Sequence, residues 1–433
     1  MREQELIVYK DFENGKLLND MVFLMENYKN CDADKEKLQS LFYKCFHELL
    51  ELAGHYGFYG NLWHCYLSNL LVNNENSYSM ACEIVGEVEG TINDCVLHDI
   101  VILKELYDYD FTDMIDVLDI RDFSLALNYT SSSRESKVYN TRICSRIVEL
   151  ARQFNENNTP EEMKATLTAF YKDYGVGKFG LHKAFRIEHT DNGAEIIPIT
   201  NIAHVNLDDL VGYEAAKKKL TDNTEAFVQG RVANNCLLFG DAGTGKSSSI
   251  KAIANRYYED GLRIIEVYKH QFKDLNDIIA QIKNRNYKFI LYMDDLSFED
   301  FEIKYKYLKA VIEGGLEKKP KNVLIYATSN RRHLINEKFS ERGENAREDE
   351  VHFGDTMQEK LSLYARFGVT IYFGSPDKKE YNHIVLELAK RAGLELDEDR
   401  LLLLANQWEL QHGGLSGRTA QQFIHYLVGT GVR

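Results

Sequence analysis

The chain has 433 residues, room for roughly three domains of ~150 residues each. Hydrophobic residues at 44% and charged residues at 27% exclude a disordered chain, a collagen-like fibre and a disulfide-dense mini-protein. Lys and Arg number 52 against 67 Asp and Glu, a net charge of −15, whereas a protein that grips nucleic acid through its phosphates usually shows a basic face. DNA or RNA is therefore not expected as the main partner.

Apolar runs such as Phe289-Ile290-Leu291-Tyr292-Met293 are strand-sized, far below the ~20 residues of a membrane helix. The N-terminus, Met1-Arg2-Glu3-Gln4-Glu5, is mostly charged and does not read as a secretory leader. Seven cysteines, an odd number with no CxxC pair, fit free thiols in a reducing cytosol, packed as small hydrophobes. A cytoplasmic protein without a membrane segment is expected.

The first 180 residues read as mostly helical. Leu38, Leu41, Phe42, Cys45, Phe46, Leu49 and Leu50 recur at helical spacing and form one apolar stripe. Thr159-Pro160-Glu161-Glu162 opens a further helix, with Thr159 as cap, Pro160 in the first turn and Glu162 at the capping-box position. Met163, Leu167 and Phe170 then form its apolar face. Two extended runs, 185–188 and 195–197, flank Asp191-Asn192-Gly193, a strong hairpin signal because glycine accepts the positive φ of a tight turn.

From about residue 205 short β-branched runs alternate with helical stretches, the texture of a parallel α/β sheet. The predicted strands are 236–239, 263–267, 288–293, 323–327 and 369–373, and the chain turns helical again after Pro376. Three parts are expected: a mostly helical N-terminal domain over 1–200 that includes the hairpin near 184–199, an α/β core over 201–375, and a small helical lid over 376–433.

The chemistry is concentrated in the core. Gly240-Asp241-Ala242-Gly243-Thr244-Gly245-Lys246-Ser247 matches G-x-x-x-x-G-K-[ST] between a predicted strand and a predicted helix, the context a phosphate-binding loop requires. Glycines let successive N–H groups turn inward onto phosphate oxygens, Lys246 places a charge on the β- and γ-phosphates, and the Ser247 hydroxyl ligates Mg²⁺. Gly175-Val176-Gly177-Lys178 imitates such a loop, but Phe179 replaces the hydroxyl and no strand feeds it, so it reads as an ordinary loop.

The run 289–293 ends in Asp294-Asp295, which puts carboxylates at the edge of the sheet where open α/β folds bind ligands. Asp294 would hold Mg²⁺ through water and Asp295 would orient or deprotonate an attacking water. The run 323–327 ends in Thr328-Ser329-Asn330, an amide placed to hold that water. Leu361-Ser362-Leu363-Tyr364-Ala365-Arg366 precedes the last strand, and Ser416-Gly417-Arg418 opens a late helix whose dipole an early arginine opposes, which makes an anionic partner plausible.

This order resembles the AAA+ ATPases over residues 205–433. The similarity is closer to an uncharacterised bacterial family of predicted AAA+ ATPases carried as a domain of unknown function. Carrying it are Leu210-Val211-Gly212-Tyr213-Glu214, Asn223-Thr224-Glu225-Ala226-Phe227, Gly261-Leu262-Arg263-Ile264-Ile265-Glu266 and Asp294-Asp295-Leu296-Ser297-Phe298-Glu299. The last two blocks are Tyr326-Ala327-Thr328-Ser329-Asn330-Arg331-Arg332-His333-Leu334 and Ser416-Gly417-Arg418.

The resemblance implies an AAA+ module with a helical lid. Residues 240–247 would be Walker A, Asp294 and Asp295 Walker B, Asn330 sensor 1, Arg366 the finger entering a neighbouring subunit's site, and Arg418 sensor 2. Val211-Gly212 would line the adenine pocket. ATP and Mg²⁺ are the implied cofactors, a homo-oligomeric ring the implied assembly, and an unknown protein, met through the N-terminal domain, the implied partner. Walker B carries Asp-Asp where many relatives have Asp-Glu, and the shorter acid points to slow hydrolysis, with Glu299 as a nearby acid. Remodelling of a partner is the leading expectation. An ATP-dependent switch or adaptor comes second and a nucleic-acid loader third.

Overall fold

The computed structural model describes residues 3–30, 33–131, 136, 138–191, 193–200, 202, 205–296, 304–313, 320–330 and 366–431. Glu299, the Arg331-Arg332-His333-Leu334 part of the resemblance and residues 361–365 lie outside them. The chain divides into two compact units, Met1–His182 and Lys183–Arg433.

The first unit is helical throughout: α1 (Lys16–Asn27), α2 (Lys35–Tyr56), α3 (Leu62–Asn73), α4 (Ser77–Val85), α5 (Ile92–Tyr107), α6 (Thr112–Leu118), α7 (Ser124–Leu127), α8 (Thr141–Glu156), α9 (Pro160–Tyr174) and α10 (Gly177–Leu181). The stripe read from the sequence lies on α2, where Leu38, Phe42, Cys45 and Leu49 are buried and Leu41, Phe46 and Leu50 pack partly buried against the same core. At the start of α9 the Glu162 N–H donates to Thr159 Oγ1, but the Glu162 carboxylate takes the N–H of Asn158 rather than of Thr159, one residue beyond the standard box.

Asp99 on α5 is completely buried and accepts the N–H groups of Ile7, Val8 and Tyr9 at 2.7 to 2.9 Å. It thereby satisfies three backbone donors of a segment that has no ladder or helix to use them. Only half of the Gly175–Lys178 stretch is the loop expected: Gly175 ends α9 and the Val176 N–H bonds the buried Glu83, but Gly177 and Lys178 open the short helix α10, where Phe179 is buried. The six described cysteines are free thiols, and five of them are buried.

The second unit begins with the hairpin, β1 (Ala184–Thr190) and β2 (Gly193–Pro198), paired antiparallel with Thr190 opposite Gly193. The hairpin does not belong with the helical domain as expected. β1 runs parallel to β4 and extends the α/β sheet, so the division between units falls at 182/183 rather than near 200. The turn chemistry showed that two strands would pair; it carried no information about which edge would accept them.

There follow α11 (Glu214–Val228), β3 (Cys236–Gly240), α12 (Lys246–Arg256), β4 (Leu262–Glu266), α13 (Leu275–Ile282), β5 (Lys288–Met293), α14 (Lys304–Glu313), β6 (Val323–Ser329) and β7 (Val369–Phe373). The helices α15 (Lys378–Arg391), α16 (Glu398–Gln411) and α17 (Gly417–Gly429) end the described chain. All five strands predicted for the core are present within two residues of their expected ends. The sheet has seven strands in the order β2-β1-β4-β5-β6-β3-β7, parallel except at the hairpin.

One face of the sheet is covered by α11 and α12. Leu220, Phe227, Ile250 and Ile253 share a core with Cys236, Leu238, Ile264, Ile290, Tyr292, Leu324, Tyr326 and Ile371. Strands buried on both faces read as continuous apolar runs, which is why β5 stood out in the sequence. The last three helices build their own core from Tyr381, Ile384, Leu401, Phe423, Ile424 and Leu427, with Val211 packed against it.

Candidate functional site

The loop 240–245 leaves β3, which lies between β6 and the edge strand β7 in the parallel part of the sheet. Gly240 has φ 135°, and a Cβ there would fall 2.1 Å from the Phe373 carbonyl oxygen of β7. No other residue fits. Gly245 at φ 92° then turns the chain into α12, whose first residues are Lys246 and Ser247. The free N–H groups and positive dipole end of this helix face an open cavity of about 520 Å³, a size typical of small-ligand sites.

The Lys246 ammonium bonds the carbonyls of Asp241 at 2.6 Å and Gly240 at 3.2 Å, and burial holds its pKa below the usual lysine value. Asp241 itself is turned away from the cavity. Its carboxylate takes the Ser375 N–H at 2.8 Å and its carbonyl also takes the Thr244 hydroxyl. The first half of the motif, Gly240, Asp241 and Ala242, therefore shapes the loop, while Gly243, Thr244, Gly245, Lys246 and Ser247 line the cavity.

Opposite the loop stand the tips of β5 and β6. Asp294 Oδ1 accepts the Ser247 hydroxyl at 2.8 Å and the Thr328 hydroxyl at 2.6 Å. Burial acts to raise the Asp294 pKa, but hydrogen bonds from the Thr328 and Ser247 hydroxyls and the Asp295 N–H outweigh it and hold the carboxyl below its ordinary value. Asp295 has φ 49°, a left-handed conformation that aspartate tolerates better than most residues. Its N–H is anchored on Thr328 Oγ1 at 3.0 Å, and its carboxylate accepts the Asn330 amide at 3.0 Å.

A magnesium ion suits this donor set. Ser247 and Asp294 are hard oxygen donors in mutual contact, and no group of three or more His, Cys, Asp or Glu competes among the described residues. Two protein oxygens with the rest supplied by phosphate and water is the usual way Mg²⁺ is held beside a nucleotide.

The far wall comes from the C-terminal helices. The Arg418 N–H donates to the Gly243 carbonyl at 3.0 Å, and a Cβ on Gly243 would crowd Ser416 Oγ and Arg418 Cβ at 3.0 Å each. The start of α17 is thus seated directly on the loop, and Arg418 lines the cavity with Gln421, Gln422 and His425. Val211, Ile384 and Leu388 add an apolar wall; Gly212 does not line the cavity, but its φ of 84° turns the chain beside it.

Lys246, Ser247, Asp294, Asp295, Asn330 and Arg418 thus meet in one cavity. Arg366 does not join them. It precedes β7 at the end of that strand remote from Phe373 and the loop. Thr328 was missed as a site residue, although it sits two positions before Asn330 on the strand tip and so points to the same face. Ile384, Leu388, Gln421 and His425 carry no local signal, because only tertiary packing brings them to the loop.

Among known proteins, residues 180–431 match the family described as "Protein of unknown function (DUF815)", more than half of the chain. A shorter stretch of 71 residues is 37% identical to the replication factor C large subunit of Staphylothermus marinus, spanning 16% of this chain and 16% of that one. The Thermotoga maritima RuvB Holliday junction branch migration motor shares 17% identity and superposes with a TM-score of 0.36, covering 52% of this chain and 64% of the motor. A point mutant of the same motor gives 18% and 0.37 over 52% and 67%. No helix among the described residues is long and apolar enough to cross a membrane. With residues 180–431 matched, the chain belongs to the DUF815 family.

Proposed function

We propose that this chain binds ATP with Mg²⁺, hydrolyses it, and couples the cycle to remodelling a protein partner. The convergence of Lys246, Ser247, Asp294, Asp295, Asn330 and Arg418 on one cavity carries the reading. Lys246 and the loop N–H groups bind the phosphates, and Ser247 and Asp294 hold the metal, which when bound neutralises charge on the β- and γ-oxygens. Asp295 orients and deprotonates the attacking water. Asn330 donates to Asp295 in the structure and so fixes the carboxylate that acts on the water, in addition to the water contact expected of it. Arg418 supplies positive charge at the phosphates. The test is phosphate release by full-length protein with MgATP: turnover that persists in Asp295→Asn would sink the assignment of the base.

Arg366, remote from its own cavity, acts in a neighbouring subunit, which requires a homo-oligomer, a closed ring by preference. The helical unit selects the partner, as the large part of the chain outside the nucleotide module. Six free described cysteines fit a place in the reducing cytosol. Recognition is tested with the Asp295→Asn chain held in ATP, full-length against a chain beginning at Lys183, which keeps β1 and β2 in the sheet. Equal capture of the same partner by both would remove recognition from the helical unit.

A second reading, an ATP-dependent switch with slow turnover, is favoured by the short Asp295 side chain already engaged by Asn330. A turnover far below one per minute with tight ATP binding would select it. The loader reading draws on the local likeness to a replication factor C subunit. Sub-micromolar binding of duplex or single-stranded DNA at ~150 mM salt would promote it over both, while weak, salt-sensitive binding is expected.

A further inference from the structure

β5 delivers more than the two acids at its tip. Side chains alternate along a strand, so Tyr292 and Asp294 leave the sheet on the same face, the one covered by α12. The Tyr292 ring is 4% exposed and packs in the core that holds Ile250, Ile253 and Tyr326. Its hydroxyl reaches the Ser247, Asp294 and Thr328 side chains. It nevertheless makes no hydrogen bond of good geometry. Ser247 and Thr328 both donate to Asp294 Oδ1 instead.

An unpaired buried hydroxyl is unfavourable, and phenylalanine would fill the same volume without the polar atom. A tyrosine here is therefore explained by a partner that the hydroxyl gains in the working site. We propose that Tyr292 is a positioning residue of the metal site. Its O–H donates to the Asp294 carboxylate from the core side when the Ser247 oxygen turns a lone pair to a divalent cation, and it fixes the orientation of that carboxylate. The proposal rests on the reading of Ser247 and Asp294 as the metal-holding pair. Partners that orient a metal ligand from outside typically change metal affinity by 10- to 100-fold when removed.

The experiment is a MgCl₂ titration of full-length wild type and Tyr292→Phe at fixed fluorescent ATP analogue, with nucleotide affinity in EDTA and the melting temperature measured alongside. The Mg²⁺ midpoint should rise about tenfold in Tyr292→Phe. Affinity in EDTA should stay within twofold of wild type, and the melting temperature should not fall. A folded variant with an unchanged Mg²⁺ midpoint makes Tyr292 a core residue and overturns the proposal. A variant that fails to fold overturns it too, because the hydroxyl would then be needed for packing. If wild type itself binds nucleotide without regard to Mg²⁺, the reading of Ser247 and Asp294 fails first, and that result is distinct from either of the others.

Discussion

Two aspartates, one in each unit, use the same chemistry to opposite ends. Asp99 is enclosed in the helical unit and accepts three backbone N–H groups from residues about 90 positions earlier. Asp294 accepts two hydroxyls and a backbone N–H, but it does so at the rim of a cavity. Both are carboxylates held by several donors. Asp99 is fully buried and Asp294 is exposed, but the number of bonds does not separate them; what adds to the difference in burial is whether the donors themselves can turn to a ligand. The N–H groups of Ile7, Val8 and Tyr9 cannot. The Ser247 hydroxyl can.

The sharpest way to break that comparison is at the loop. Lys246→Ala should abolish ATP binding, weakening it by at least a hundredfold in a fluorescent-nucleotide titration, because the phosphates lose their mobile charge. The helical unit should be untouched, with far-UV circular dichroism unchanged. Unaltered affinity would show that the cavity is not a phosphate site, and Asp294 would join Asp99 as a structural acid.

Arg366→Ala comes next. It should leave ATP affinity within twofold and lower turnover by about a thousandfold or more, the range known for arginine fingers. Wild-type specific activity should rise with protein concentration. Activity that stays flat over a hundredfold dilution, with a monomer in light scattering, would refute the shared site.

How much of this was legible beforehand follows the range of each interaction. The loop, the acids after β5 and Asn330 after β6 lie in contiguous motifs, so their chemistry shows in the sequence. The five core strands show because two-sided burial makes continuous apolar runs. The hairpin was visible as a turn, but its seat beside β4 was not. That seat depends on backbone pairing of Ala184, Phe185 and Arg186 with Ile264, Ile265 and Glu266, which leaves no side-chain code. Asp99 was invisible because its partners are backbone groups far along the chain. Thr328 and Tyr292 each occupy an ordinary strand position, and only the fold turns them toward Ser247.

A smaller effect tests the structural half. Asp99→Ala should destabilise the helical unit by about 3 kcal/mol, since three buried N–H groups lose their acceptor at about 1 kcal/mol or more each. Chemical denaturation with a tryptophan signal measures it, as Trp63 is buried in this unit and bonds the Leu106 carbonyl. ATP affinity at low denaturant should not change. A parallel loss of affinity would mean that Asp99 supports the site as well as its own unit, and the contrast with Asp294 would collapse.

The smallest expected effect separates the units by pH. His64 on α3 stacks on Tyr107 at 4.1 Å between ring centres and shares its Nε2 with the Tyr107 carbonyl at 2.9 Å. Burial lowers its pKa to about 4, against the partial opposition of that hydrogen bond. The folded state thus binds fewer protons than the unfolded chain between pH 6.5 and 4, so stability is full above 6.5 and falls as the pH drops through this window. Asp294 is also depressed, but from 3.8, so its contribution persists down to that value and is lost only in stronger acid. Acid should therefore weaken the helical unit first. Relative to His64→Gln, which cannot take up the proton, wild type should lose about 2 kcal/mol between about pH 6.5 and 4, read from paired denaturation curves. Parallel curves for the two proteins across that window would show that His64 titrates normally. The helical unit would then have no loss of stability between pH 6.5 and 4 from His64 to set against the site.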